Sequence, residues 1–420
     1  MTKVAHITTI DGSLRYLLLN QLCSIQQAGY RVSGISSPGS EVPTIEAAGI
    51  RHIPVPMRRS SNLTPAADLL SFWRLYRVMR RERFTIVHTH TANPDLYGAM
   101  AARLAGVPIV ISTLHGFYFH EHMTPLWRRF YITLAKIGAR CSDVILSQNP
   151  EDIQTASDER ICPPEKIKFL GNGIDLERFD RARLDAQVLA QKRRDLGLPA
   201  DKPVVGFVGR LVANKGILEL LQAARLIREQ APEARFLFVG PVDRAKRDFI
   251  TPEVAADYGI AEASIFAGMR QDMPELYALM DVFVLPSHRE GFPRASMEAS
   301  AMGVPCVVTD IRGCRTAVEQ GRNGRLVPLG DVKALAEAIL CLLTDREQAR
   351  QMGVEGRRMA LERFDERQVF EKVKAEYARL LLEKGLSGTS QGRPRRGTHD
   401  TPPGLALSKA EGTAAGAERE

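Results

Sequence analysis

Short apolar runs alternate with amphipathic stretches along the first half of the chain, and the pattern then begins again. Seven runs in the first half predict strands: KVAHITT, RVSGIS, IRHIPV, TIVHTH, PIVISTL, DVILSQ and KIKFL. Six more predict strands in the second half: KPVVGFVG, ARFLFVG, SIFAG, DVFVLPS, PCVVTD and GRLVPL. Short runs of this kind are typical of parallel strands that are covered by helices on both faces. The pattern therefore predicts an α/β chain with two parallel sheets.

Helical periodicity separates the predicted strands of the second half, in ILELLQAARLIREQ, MPELYALM, SMEASAMG and DVKALAEAILCLL. We predict two doubly wound, Rossmann-like domains that face each other across a cleft, residues 1–185 and 186–365, with the boundary in the charged segment 175–202. An amphipathic helix over 366–385 could return to the first domain. Residues 386–420 are rich in glycine, proline, serine and charge, which predicts a disordered tail.

The length of 420 residues exceeds what one hydrophobic core supports, which agrees with two domains. Six cysteines are scattered without a C-x-x-C pair, as expected of reduced thiols in a cytosolic protein. The start of the chain lacks a signal pattern, and the most apolar stretch is interrupted by Arg103 and Pro108. We therefore expect a cytoplasmic protein that can reach a membrane only peripherally, at its inner face.

Basic residues are concentrated in the first half of a chain whose net charge is +8. Between Arg51 and Arg140, thirteen basic residues stand against four acidic ones. This excess favours an anionic partner: a phosphorylated acceptor, acidic lipid head groups or nucleic acid. LLSFWRLYRVMRRERF and PLWRRFYITLAKIGAR interleave arginine with aromatic residues, as helices on anionic membranes do. Helices that pack an apolar face on a sheet and expose a basic face would give the same pattern.

Two strand-to-helix junctions in the second half carry residues suited to phosphate. In open α/β sheets, ligands collect where such loops lead into helix N-termini. The first junction, GFVGRLVANKGILEL, holds Gly209, Arg210 and Lys215. An arginine fork and a mobile lysine can together neutralise a diphosphate.

The second junction, SHREGFPRASMEASAMGVP, adds backbone donors and two carboxylates. Its segment Gly291, Phe292, Pro293 and Arg294 can direct N–H groups at the same diphosphate, because Gly291 allows close approach and Pro293 suits a helix start. Glu290 and Glu298 suit neutral, hydroxyl-rich groups on either side. Any one of these charges is more often a solvated surface residue, but the combination favours a site. Walker and G-x-G-x-x-G patterns are absent, which disfavours triphosphatases and dinucleotide enzymes.

Three segments resemble the signature of retaining glycosyltransferases of family 4, which have the GT-B fold: VGFVGRLVANKG, the stretch from FAGMRQ to TDIRGC, and GRNGRLVPLGD. The resemblance implies that Glu298 binds the nucleotide ribose and Glu290 the transferred sugar. It also implies that Arg210 and Lys215 stabilise the departing diphosphate, in a front-face reaction with retention and without a metal or other cofactor. The expected donor is a nucleotide-sugar, with a UDP-sugar favoured.

The segment HTHTANPDLYGAMAARLAGVPIVISTLHGFYFHE resembles the acceptor domain of the branch that builds capsules, exopolysaccharides and O-chains. His115 matches the histidine that lies near the donor sugar in relatives; without the resemblance, a capped strand end with no further role would be favoured. The family's glycine-rich loop after the first strand is reduced here to Gly12. The resemblance implies a lipid-linked or growing cell-surface glycan as the acceptor.

Alternatives remain at this stage. His88 and His90 lie two apart on a predicted strand, as a metal pair would, but no third ligand has suitable spacing, which favours packing at the strand end. A nucleotide-sugar epimerase or hydrolase could share the architecture. A basic nucleic-acid-binding protein would explain the pI of about 9.2, but the sequence has no recognition motif for nucleic acid.

Overall fold

The computed structural model describes residues 1–57, 65–90, 92–119 and 123–386. The predicted disordered tail, except Leu386, lies outside these ranges. Each of the thirteen predicted strand segments contains a strand. The fold class is the predicted one, with two α/β domains that are each built on a parallel sheet.

The first sheet contains seven parallel strands among the described residues, in the spatial order β3-β2-β1-β4-β5-β6-β7. Their bounds are β1 Lys3–Ile10, β2 Arg31–Ser37, β3 Arg51–Pro54, β4 Ile86–His90, β5 Ile109–Leu114, β6 Val144–Ser147 and β7 Ile167–Phe169. The central strands are largely buried, and most of their side chains are apolar, although β1 and β4 also bury histidine and threonine.

The second sheet has six parallel strands in the described part of the chain, in the order β10-β9-β8-β11-β12-β13. Their bounds are β8 Val204–Val208, β9 Arg235–Val239, β10 Ser264–Gly268, β11 Val282–Leu285, β12 Cys306–Thr309 and β13 Gly324–Val327. The order reverses direction between β8 and β11, which are neighbours in the sheet but not in the chain. This reversal leaves a crevice beyond their carboxyl ends.

Helices cover both sheets, with a π turn at Leu14–Leu18 and 3₁₀ turns at Pro164–Lys166, Arg181–Arg183, Ala213–Lys215 and Ala261–Ala263. Those before β8 are α1 Asp11–Ser13, α2 Leu19–Gln27, α3 Val42–Ala47, α4 Pro65–Glu82, α5 Ala92–Leu104, α6 Pro125–Cys141, α7 Pro150–Asp158 and α8 Ala186–Asp195. Those after β8 are α9 Ile217–Gln230, α10 Val254–Asp257, α11 Met273–Ala278, α12 Arg294–Ala301, α13 Cys314–Ala317, α14 Val332–Thr344, α15 Arg346–Arg363 and α16 Glu366–Glu383. Within the described ranges, none of the helices combines the length and apolar composition needed to cross a membrane.

The last helix, α16, packs against the first domain although it follows the second. Val373 and Tyr377 are fully buried in the same apolar cluster as Ile86 of β4 and Ile111 of β5. The chain therefore crosses between the domains twice, as the sequence suggested for residues 366–385. The exact domain limits stay a prediction.

The two crossings lie side by side. Ile174 N–H donates to Phe364 C=O at 2.8 Å, and Glu366 N–H donates to Ile174 C=O at 3.1 Å. At Gly173, a Cβ atom would lie 2.5 Å from the Glu366 Cα. Only glycine allows the two segments to approach this closely.

Candidate active site

The loops after β8 and β11 meet at the point where the second sheet reverses its strand order. His288 N–H donates to Asn214 C=O at 3.0 Å, which joins the two loops. Gly216 has φ +74°, and a Cβ atom there would lie 1.9 Å from the Pro286 carbonyl oxygen. The left-handed backbone and the close approach both require glycine at this position.

The predicted cations and one predicted carboxylate come together at this junction. Lys215 Nζ donates to Glu290 Oε1 at 2.5 Å, with both side chains mostly buried. Arg210 Nη1 donates to Asp243 Oδ2 at 2.7 Å. Asp243 follows β9 and carried no sequence signal, because its role depends on which strand lies beside β8. In this structure, each cation has a carboxylate partner that an anionic ligand could replace.

Glu298 lies in the second turn of α12, where Tyr277 Oη donates to its Oε2 at 2.9 Å. Burial raises the pKa of the Glu298 carboxyl, and the nearby Arg294 guanidinium opposes that rise. Arg294 also lies 3.7 Å from the carboxylate of Glu366, which begins α16. The two ends of the E-x7-E segment thus occupy different surroundings, Glu290 beside a lysine and Glu298 beside a tyrosine and an arginine.

The second junction lies against the first domain. A Cβ atom at Gly291 would lie 2.1 Å from the His115 carbonyl oxygen. Asn149 Nδ2 donates to Gly291 C=O at 3.2 Å, and Asn172 Nδ2 donates to Phe292 C=O at 3.1 Å. The backbone of the first domain by itself requires glycine at 291, and the predicted approach of this residue to the diphosphate stays a prediction.

His115 faces Glu290 across the cleft, and both line a cavity of about 260 Å³ together with His90, Arg294 and Glu366. Burial lowers the pKa of His115 to about 4, although a hydrogen bond with Gln148 opposes the shift. Its Nε2 atom is buried and has no hydrogen-bond partner among the described residues. A neutral imidazole with a free nitrogen can bind a sugar hydroxyl.

His88 and His90 do share one side of β4, and the fold adds a third histidine that the spacing could not reveal. The ligand nitrogens of His6, His88 and His90 lie within 4.8 Å of one another. Hydrogen bonds occupy most of them: His6 Nδ1 bonds His90 Nε2 at 2.9 Å, and Tyr377 Oη bonds His88 Nδ1 at 2.7 Å and His6 Nε2 at 3.1 Å. His88 Nε2 bonds Thr113 Oγ1 at 2.7 Å. This buried network joins α16 to the sheet, in agreement with a packing role.

The remaining predicted residues are placed as follows. Gly209 directly follows β8, and its N–H donates to Val239 C=O at 2.9 Å. Pro293 precedes α12, and the Phe292 ring packs edge-on against Phe364 at 5.8 Å. Gly12 lies in α1, but a Cβ atom there would meet its nearest neighbour at 3.8 Å, an ordinary contact. The structure gives no steric reason for glycine at position 12.

Comparison with known sequences shows which protein family this chain belongs to. The family model Glycosyltransferase Family 4 matches residues 17–178, and the model Glycosyl transferases group 1 matches residues 202–345. A relative from Escherichia coli, the UDP-Gal:alpha-D-GlcNAc-diphosphoundecaprenol alpha-1,3-galactosyltransferase, is 31% identical over 77% of this chain and 82% of its own length. This chain belongs to glycosyltransferase family 4. It is a glycosyltransferase, as the sequence predicted.

A second relative and a solved structure are similar to this chain over nearly all of their own length. The capsular polysaccharide biosynthesis glycosyltransferase CapM of Staphylococcus aureus is 29% identical over 91% of this chain and 98% of its own. The solved structure of Anabaena HepE in complex with UDP and glucose superposes with a TM-score of 0.76, at 20% identity, over 90% of this chain and all of the HepE chain. The HepE likeness supports the GT-B fold of this family 4 glycosyltransferase.

Proposed function

We propose that this glycosyltransferase moves a sugar from a nucleotide-sugar, with a UDP-sugar as the expected donor, to a hydroxyl of a lipid-linked cell-surface glycan. The anomeric configuration is retained. The carrying observation is the meeting of Arg210, Lys215 and Glu290 at the strand-order reversal of the second sheet, opposite His115. This is the place where open α/β sheets bind their ligands.

The proposed donor replaces two intramolecular ion pairs. Its diphosphate takes the place of Asp243 at Arg210 and of Glu290 at Lys215. Glu290 is thereby released to accept hydrogen bonds from hydroxyls of the transferred sugar, while Glu298 binds the ribose. As the anomeric bond breaks, Arg210 and Lys215 neutralise the charge that develops on the leaving diphosphate, which then takes the acceptor proton. No protein-bound metal ion has a part in the proposed step.

The acceptor proposal rests on the relatives and on the surface of the first domain. The E. coli relative acts on a diphosphoundecaprenol-linked sugar. In this chain, α4 buries Leu75 and Met79 in the core but exposes Trp73, and α6 exposes Leu126 and Trp127. Aromatic and aliphatic side chains beside arginines suit an anionic bilayer. We therefore place the enzyme in the cytoplasm, bound peripherally to the inner face of the membrane.

A donor panel tests the proposal. Purified enzyme is incubated with UDP-, GDP- and ADP-sugars and with polyprenyl-diphosphate saccharides, and the products are identified by mass spectrometry and the anomeric coupling by NMR. The expected result is one glycosidic product with the configuration of the donor. An inverted product, or free sugar formed equally fast with and without acceptor, would contradict it.

A further inference from the structure

A second, larger cavity extends from the cleft into the first domain, between α6 and the sheet. Its volume of about 640 Å³ lies in the range of roughly 300–1,000 Å³ that is typical of small-molecule pockets. Lys215 and Glu290 line it at the cleft, so it adjoins the proposed reaction centre. The far part is lined by Ile145, Ile161 and Ile167 from the region of β6 and β7.

The cavity exists because α6 carries small residues on the face that it turns toward the sheet. Ala135, Gly138 and Ala139 line the cavity, spaced as one face of a helix, and Ser142 follows one turn later. Side chains this small fill little of the space between the helix and the sheet, although Ser142 Oγ hydrogen-bonds Ser112 Oγ of β5 at 2.8 Å, whereas Leu134 contributes an apolar wall. The cavity therefore follows from the residues at these four positions.

Two residues that line this cavity, Tyr97 and His115, each have a buried polar atom with no partner among the described residues, and His115 already belongs to the cleft described above. Tyr97 of α5 is 6% exposed, and its hydroxyl has no hydrogen-bond partner among the described residues. A buried hydroxyl without a partner costs free energy, which a ligand atom can recover. Arg289 also lines the cavity, with its guanidinium 4.7 Å from the centre of the Tyr118 ring. The cavity thus offers a cation and a hydroxyl donor beside an apolar interior.

We propose that this cavity binds the hydrocarbon chain of the lipid-linked acceptor, an inference that rests on the proposed function. The apolar space under α6 holds the first units of the chain. Arg289 and the Tyr97 hydroxyl bind the phosphate groups where the chain begins, and the sugar head reaches Glu290. The exposed Leu126 and Trp127 at the start of α6 lie on the same helix, where a bilayer would supply the lipid.

Labelling with a photoreactive lipid tests the site without knowledge of the acceptor sugar. The probe is an isoprenyl diphosphate with a terminal benzophenone, irradiated with the full-length enzyme in detergent, and labelled peptides are mapped by mass spectrometry. Label is expected within residues 131–167. Undecaprenyl phosphate, added as a competitor, is expected to reduce it. Label confined to the exposed start of α6, or unaffected by the competitor, would overturn the proposal.

A matched pair of variants on α6 provides the control. Ala135→Phe fills the cavity, whereas Thr133→Phe adds the same ring on the exposed side of the helix. Filling should lower labelling by at least about tenfold, and the exposed ring should leave it unchanged. Equal labelling of the two variants would overturn the proposal. If Ala135→Phe does not fold, two competitors are compared on the wild-type enzyme. Farnesyl diphosphate should reduce labelling more than methyl diphosphate does, and equal competition would overturn the proposal.

The failure of this inference is distinguishable from failure of the proposed function. Thermal shift with UDP-sugars and turnover with the donor panel report on the second domain and the chemistry. If those succeed while labelling does not depend on the cavity, only the lipid site is wrong. If no nucleotide-sugar binds or reacts, the proposed function itself fails.

Discussion

Lys215 and Glu290 form an ion pair although 75 residues separate them in the chain. Each lies at the carboxyl end of one of the two strands between which the second sheet reverses its order. In the proposed reaction this pair opens, so that one charge faces the phosphate and the other faces the sugar.

Replacing Lys215 should therefore impair the chemical step. In Lys215→Ala, turnover should fall by about 10²–10³, the range found on removal of one preorganised electrostatic donor. Steady-state kinetics with the best donor measure it, and Lys333→Ala, on the exposed side of α14, is the control. A folded Lys215→Ala enzyme with wild-type turnover would disprove the role of this lysine.

Removing the Tyr377 hydroxyl should destabilise the first domain. Tyr377→Phe leaves His6 Nε2 and His88 Nδ1 without their common partner in a buried site, which should cost about 1–3 kcal/mol of unfolding free energy. Urea denaturation measures the change. Tyr30→Phe, whose ring meets Tyr377 edge-on at 5.8 Å, should change it by less than about 0.5 kcal/mol. Equal stability of the two variants would argue against the network.

Acid should weaken the fold well before carboxylates protonate. Burial lowers the pKa of His6 to about 3 and that of His115 to about 4, below the unfolded value of about 6.5. Between these values the unfolded chain binds more protons, so the unfolding free energy should fall as pH drops from about 6.5, by up to about 1.4 kcal/mol per pH unit for each group. Urea titrations at pH 7, 6 and 5 measure the slope. His115→Asn should lower the slope of unfolding free energy against pH by the contribution of one histidine. An unchanged slope would contradict the lowered pKa of His115.

Chelation should leave the reaction intact. Because Arg210 and Lys215 carry the charge stabilisation in the proposed step, enzyme treated with EDTA should keep its turnover in metal-free buffer. Metal analysis of the same sample checks that no ion remains at His6, His88 and His90. A loss of activity that only a divalent cation restores would overturn the metal-free proposal.

Membrane binding should depend on the exposed residues of α6. Trp127→Glu should lower flotation with vesicles that contain phosphatidylglycerol, because it removes an apolar anchor and adds a like charge to the anionic surface. Leu361→Glu, exposed on α15, is the control. Added salt should weaken binding of the wild type. If the wild-type enzyme floated equally well with neutral vesicles and with anionic vesicles, binding through a basic surface would be contradicted.

The fold was predictable because buried parallel strands produce apolar runs that are visible without tertiary information. SIFAG and MPELYALM, for example, correspond closely to β10 and α11. Lys215 and Glu290 were predictable for a similar reason, since loops after neighbouring strands converge.

Some residues bond the predicted site residues only because of the order of the strands or the return of α16. The sequence pattern gave no indication of these contacts. Asp243 follows a strand that happens to lie beside β8, and His6 joins His88 only because β1 pairs with β4. At Gly12 the neighbouring protein atoms leave room for a side chain, and its place in the donor site stays a prediction. The small residues of α6 are visible in the sequence, but only the structure shows that they line a cavity between this helix and the sheet.

The paired crossings at Ile174 and Phe364 make the first domain discontinuous in the gene. A fragment cut at residue 185 would contain every strand of its sheet but would lack the tyrosine that completes the histidine network and the helix that covers one face. Expression of that domain alone requires α16 to be fused back to it. Any rotation of one half against the other would have to bend the chain at both of these adjacent crossings.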